Sequence, residues 1–411
     1  MGLVISGSEV SNRESGKDSV MPANVSAGRI RVTAIGCGLA LLVAACVTSA
    51  DQVTSTELAT TTEPLGTTTE PVADIASAPT TLAPPTSEPG EGGPSERMYS
   101  HLVGVGEEGV ILIGGFSQGE QPAQILLDMW ALGPDGWMEL TPDLMPPPAP
   151  AAAYDVQSGR IVMDPLAGCV LPGGFGPEHF DAESCETATW VYDPAVNAWE
   201  RWETPVKPTE LLGSGMTYDS ESDRVILFAG WLYPTNFTAE TWAYDYETNV
   251  WTQMSPEQSP PPRNYQLMDY DAQSDRVLMF GGDAGDESVW AFDFNADTWT
   301  ELPAADPSPQ HLDRYYGRMV YEPAVDRMIV YGGVYSSAEQ PVADTWAYDY
   351  DTNTWTELSD ESIPGPRGWH AMAYYPGQES MVMFGGGPRR GAPLADTWLY
   401  DFAANEWSEI P

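Results

Sequence analysis

From about residue 97 onward, short apolar runs alternate with clusters of Gly, Asn, Asp and Pro at a spacing that fits strands rather than helices. The pattern is clearest in one segment: Arg314 to Tyr321 reads as a first strand, Arg327 to Tyr331 as a second, Thr345 to Asp349 as a third and Thr354 to Leu358 as a fourth. After its arginine the second run is uninterruptedly apolar, which predicts burial on both faces. The third alternates, which predicts a half-exposed strand.

The unit recurs. Trp130, Trp190, Trp242, Trp290, Trp346 and Trp398 open successive third strands at intervals of 60, 52, 48, 56 and 52 residues, and a second tryptophan follows at 137, 199, 251, 299, 355 and 407. A period of roughly 50 residues predicts a ring of repeats, not the two or three separate domains that 411 residues would otherwise allow. Glycine pairs end the second strands at 114–115, 173–174, 281–282, 332–333 and 385–386, with Ala229-Gly230 in the third repeat. Such pairs predict positive φ or backbone packing too close for a side chain. Asp135, Asn197, Asn249, Asp297, Asn353 and Asn405 stand two residues before the second tryptophans, where a left-handed turn between strands three and four suits them. Asp223-Arg224, Asp275-Arg276 and Asp326-Arg327 fall between strands one and two, as expected of structural ion pairs or exposed turn charges.

Arg367-Gly368-Trp369-His370, Gly385-Gly386, Trp398-Leu399-Tyr400-Asp401 and Trp407 together resemble a complete kelch motif, and the resemblance extends over about residues 97 to 411. It implies an all-β fold, a six-bladed β-propeller of four-stranded blades like the central domain of galactose oxidase. Repeat one departs, with its tryptophans seven apart and Leu132 in place of the usual Tyr. Repeat two inserts a loop between Met163 and Gly173. Every blade is expected to be continuous in sequence, so that closure depends on blade one packing against blade six.

Ahead of the repeats, Arg29 and Arg31 precede an apolar run from Val32 to Ala45, which ends in Val43-Ala44-Ala45-Cys46. The run has signal-peptide length, short for a membrane span. The ending resembles a bacterial lipoprotein signal, which implies cleavage after residue 45 and lipidation of Cys46, with Met21 as an alternative start. Ordinary secretion and a retained anchor helix are the competing readings. Residues 47 to 96 contain no Lys or Arg and repeat Thr-Thr-Thr-Glu-Pro. With so little apolar surface to offset ordering entropy, residues 46–96 are expected to be a disordered tether. This places the chain on the extracytoplasmic face of a bacterial cell membrane.

Cys169 and Cys185 flank the insertion of repeat two. In an exported protein they are expected to form a disulfide, worth roughly 3 kcal/mol for a loop of this size. A metal-binding thiol pair is the competing reading, with His179 alone nearby.

Seventeen basic against 60 acidic residues give a formal net charge of −43, which excludes nucleic acid as a partner. The histidines are His101, His179, His311 and His370, of which His101 and His370 occupy first-strand positions where a structural role is expected. Neither a phosphate loop, nor Gly-x-Ser-x-Gly, nor His-Glu-x-x-His occurs. The copper site of galactose oxidase requires a free cysteine beside a tyrosine and is not matched, so no cofactor and no metal is expected.

What remains is a binding face on the loops between strands two and three. Trp231, Tyr233, Tyr335, His179, Arg389 and Arg390 are the candidate ligand-binding residues: aromatic rings suit sugar faces, and the arginine doublet suits a carboxylate. The expectation is a monomeric lipoprotein whose propeller binds a protein or glycan. A carbohydrate-active hydrolase or epimerase on the propeller face is the alternative, and a structural envelope protein the second.

Overall fold

A computed structural model describes residues 92–117, 124–146, 151–163, 188–208, 211–232, 236–284, 288–303, 309, 314–335, 340–359, 363–388 and 391–411. The lipidation cysteine Cys46, the pair Cys169 and Cys185, and His179, Tyr233, Arg389 and Arg390 lie outside these residues.

Six four-stranded antiparallel sheets follow one another along the chain. Blade 1 is His101–Gly104, Val110–Ser117, Gln124–Gly133 and Gly136–Leu140; blade 2 is Ala152–Asp155, Arg160–Met163, Thr189–Asp193 and Ala198–Trp202. Blade 3 is Gly215–Asp219, Arg224–Leu232, Asn236–Asp245 and Val250–Gln253, with Leu211–Leu212 added beside its second strand. Blade 4 is Leu267–Asp271, Arg276–Phe280, Val289–Asp293 and Thr298–Leu302. Blade 5 is Arg318–Glu322, Arg327–Tyr331, Thr345–Asp349 and Thr354–Ser359; blade 6 is Ala371–Tyr375, Ser380–Phe384, Thr397–Asp401 and Glu406–Ile410. First strands of adjacent blades pack side by side around the axis, the first strand of blade 1 lying against both blade 2 and blade 6. The ring therefore closes with every blade continuous in sequence.

Two details differ from the sequence expectation. The third strand is not half exposed: Thr345 to Tyr348 are all buried, as are Thr189 to Tyr192, because neighbouring blades cover both faces of each sheet. The first strand of blade 5 is also broken. Tyr316 takes φ +60, so Arg314–Tyr315 pairs separately with Val334–Tyr335, and the inner strand restarts at Arg318.

The glycine pairs explain how blades join. At four of them the second residue's amide donates to the arginine carbonyl that opens the next blade: Gly230 to Arg263, Gly282 to Arg314, Gly333 to Arg367, and Gly386 to Arg97, all at 2.8–2.9 Å. A Cβ on Gly386 would lie 2.6 Å from the Gly368 carbonyl oxygen, so the approach itself requires glycine. The arginine side chain then turns back to its own blade. Arg97, Arg314 and Arg367 donate to Gly114, Gly332 and Gly385 carbonyls and form two-point ion pairs with Asp128, Asp344 and Asp396.

The turn arginines do not pair chiefly with the aspartate preceding them. Arg224, Arg276 and Arg327 reach Asp245, Asp293 and Asp349 at the ends of third strands, at 2.7–2.9 Å. The preceding Asp223, Asp275 and Asp326 are left-handed and accept the hydroxyls of Tyr218, Tyr270 and Tyr321. The same device closes the next hairpin: Asn197, Asn249, Asn353 and Asn405 are left-handed and accept from Tyr192, Tyr244, Tyr348 and Tyr400.

Candidate functional site

Three residues into each of four repeats, two after the arginine, stands an aromatic residue: Tyr99, Tyr265, Tyr316 and Trp369. All four hold φ between +53 and +60, a conformation that costs a non-glycine residue about 1–3 kcal/mol. Blade 3 places Gly213, φ +69, at the same position, where a Cβ would collide with the Tyr265 ring. The left-handed turns aim the backbone around the axis: Tyr99 N donates to Trp369 O, Trp369 N to Tyr316 O, and Tyr265 N to Gly213 O. Their side chains meet in a hub, with ring centroids 4.4 Å apart for Tyr265 and Tyr316, 4.7 Å for Tyr316 and Trp369, and 5.8 Å for Tyr99 and Tyr316. Burial, reinforced by the neighbouring phenols, pushes the Tyr99 and Tyr265 hydroxyls well above their ordinary pKa, and burial pushes Tyr316 up to about 12. All three are neutral phenols at physiological pH.

The hub lies at the end of the ring where second strands finish and third strands begin. Met98 and Phe116 exchange backbone hydrogen bonds there, and the Phe116 ring meets Tyr99 edge-on at 6.1 Å. Half-buried Tyr315 stacks edge-on against Tyr316, and Leu127, at the start of a third strand, is half exposed. Trp231 ends the second strand of blade 3 and meets Phe237 across a hairpin that a register shift at Gly230 lengthens. Tyr335 pairs with Arg314 in blade 5. Both candidates thus sit on second-to-third-strand connections, one in blade 3 and one in blade 5.

Beneath the hub, a cavity of about 740 Å³ follows the axis to the turns between first and second strands. First strands line it, and its polar groups include His101, Thr217, Asp269 and Arg318. Asp269 ties three blades together, accepting from Thr217 Oγ1 of blade 3 at 2.7 Å, its neighbour Tyr270 N at 2.9 Å and Tyr321 N of blade 5 at 2.8 Å. Burial raises its pKa in spite of these bonds. His370 is fully buried between blades 5 and 6, 5.6 Å from the Tyr331 ring, and burial together with Arg318 and Arg367 holds it neutral. Among the described residues no group of His, Cys, Asp and Glu is gathered into a metal site.

The hub was within reach of sequence reasoning, since Arg-x-aromatic recurs at 97, 263, 314 and 367. Asp269 and Arg318 carried no such signal, because inner-strand positions vary freely from blade to blade.

Residues 215–411 match the family model described as the KLHDC2/KLHL20/DRC7 Kelch-repeats domain. Adagio-like protein 3 of Oryza sativa subsp. japonica is 33% identical over 88 residues, 20% of this chain and 14% of that protein. Kelch domain-containing protein 2 of Bos taurus is 34% identical over 79 residues, 19% of each chain. The similarity therefore covers under a fifth of either relative. Repeat geometry and family match agree that the described domain is a six-bladed β-propeller built of kelch repeats.

Proposed function

We propose that the chain is a lipid-anchored protein on the extracytoplasmic face of a bacterial membrane, and that its propeller binds a protein ligand on the face carrying the aromatic hub. The observation that carries the binding face is the retention of four left-handed aromatic residues at the axis, where glycine would serve the backbone without strain. The hub gives that face a rigid, apolar centre, and Tyr315, Leu127 and Trp231 offer partly exposed apolar surface around or beside it. Kelch propellers are a common protein-binding scaffold, which favours a protein. A glycan is the second reading, because half-exposed rings with phenol edges also suit sugars.

Chemical cross-linking of the full chain in envelope preparations tests the face. Wild type is expected to capture a partner that Tyr315→Ala with Leu127→Arg does not, at unchanged melting temperature; equal capture by both overturns the assignment. On a glycan array, saturable binding lost in the same variant would favour the sugar reading, and product release would favour an enzyme. Fatty-acid labelling that persists in Cys46→Ser would remove the anchor.

A further inference from the structure

The axial cavity is separate from the face proposed above, and its lining is asymmetric in charge. The inner-strand position occupied by His101, Ala151, Gly215, Leu267 and Ala371 in five blades carries Arg318 in blade 5. Among the described residues Arg318 has no carboxylate partner; its one hydrogen bond is a long 3.5 Å contact to the Gly317 carbonyl. Half-buried on the cavity wall, Arg318 has its pKa pulled down to about 10 by burial. The kelch-motif arginines Arg97, Arg314 and Arg367, by contrast, are each ion-paired with an aspartate.

Among the described residues no carboxylate pairs with it. Asp269 lines the same cavity but is committed to Thr217, Tyr270 and Tyr321. His370, close to Arg318, is fully buried, neutral and without a hydrogen-bond partner at either ring nitrogen among the described residues. An uncompensated guanidinium on the wall of a 740 Å³ cavity is an anion site in chemical terms, and the volume is that of ordinary small-molecule pockets. Two features narrow the anion. Arg318 is the one arginine among the described lining residues, with Asp269 and Glu107 on the same lining, so a second negative charge would be repelled. The remaining wall mixes polar and apolar surface, the apolar part including Ala152, Met216 and Met268.

We propose that the axial cavity binds a small monocarboxylate with an apolar chain, its carboxylate seated on Arg318 and its chain lying along the first-strand walls that carry Ala152, Met216 and Met268. Entry is from the turns between first and second strands, since the aromatic hub caps the opposite end. Calorimetric titration of the full chain with sodium octanoate, and separately with octanamide, tests this. The expected result is saturable binding of octanoate with the amide at least tenfold weaker, which needs no variant. Arg318→Gln is expected to weaken octanoate at least tenfold and Arg318→Lys to restore part of the loss. Equal binding of acid and amide, undiminished binding to Arg318→Gln, absence of saturation, or tighter binding of inorganic phosphate would each overturn it. Tyr315→Ala with Leu127→Arg should leave octanoate binding unchanged, so this site and the protein-binding face fail or stand separately.

Discussion

Trp137 of the first blade donates its indole N–H to Thr397 Oγ1 of the sixth, 2.8 Å away and 260 positions along the chain. The bond repeats between other blades, from Trp251 to Thr189, Trp299 to Thr241 and Trp407 to Thr345, at 2.8–3.0 Å. In blade 1 the acceptor position holds a methionine, and Trp199 contacts Met129 Sδ instead. Thr397→Val leaves a buried indole donor unpaired at the closing junction, at a cost of about 1–3 kcal/mol. Urea unfolding should show the loss as a lower midpoint; a midpoint unchanged from wild type would mean that water serves the indole equally well.

Blade 4 lacks this acceptor. Val289 stands where the other threonines stand, and Trp355 Nε1 is buried without a partner among the described residues. Val289→Thr keeps the shape and adds the missing oxygen. It is expected to stabilise the domain by about 0.5–1.5 kcal/mol, read as a raised melting temperature. Destabilisation would show that the new hydroxyl's own proton finds no acceptor there.

Asn249 combines three duties: it holds φ +53, accepts the Tyr244 hydroxyl at 2.9 Å, and donates from Nδ2 to the Glu203 carbonyl of the preceding blade at 3.0 Å. Asn249→Ala loses both bonds and adds left-handed strain, for a cost of about 2 kcal/mol or more. Asn249→Gly removes the strain alone and should fall between the two. Denaturant midpoints for the three proteins give this order directly.

Acid stability should report the arginine clamps. Burial by itself would raise the Asp128 and Asp396 carboxyls, but hydrogen bonds from Arg97 with Trp130, and from Arg367 with Trp398, hold both below their ordinary pKa. A depressed folded pKa means that the unfolded state binds more protons, so the contribution is complete above the unfolded value near 3.9 and is lost as pH falls below it. Asp128→Asn with Asp396→Asn should therefore melt well below wild type at pH 7 and approach it toward pH 2. Asp269 runs the other way: its folded pKa is raised, so its contribution is greatest in acid and declines as pH rises through the folded value. A variant deficit that persists undiminished at pH 2 would contradict this account of the clamps.

Scaffold features were legible because each is repeated. The Trp pairs, glycine pairs and turn asparagines carry the same chemistry in several blades, and one residue's role could be checked against five others. Burial of the third strand was misjudged for the opposite reason: alternation within a single run says nothing of the second blade that covers its outer face. Tyr99, Tyr265, Tyr316 and Trp369 recur in register, but their meeting at the axis depends on left-handed backbone turns that the residue types alone do not signal. Arg318 and Asp269 could be valued only once the ring placed first strands around one axis.

Closure through Gly386 and Arg97 uses the same bond as Gly230 and Arg263, Gly282 and Arg314, or Gly333 and Arg367. No strand is borrowed from the other end of the domain, so the junction between blades 6 and 1 is one interblade seam among equals. The order of blades along the gene is in that sense a matter of convention. A circular permutant that joins blade 6 to blade 1 by a short linker and opens another seam inherits every blade intact, and only the loop lengths change.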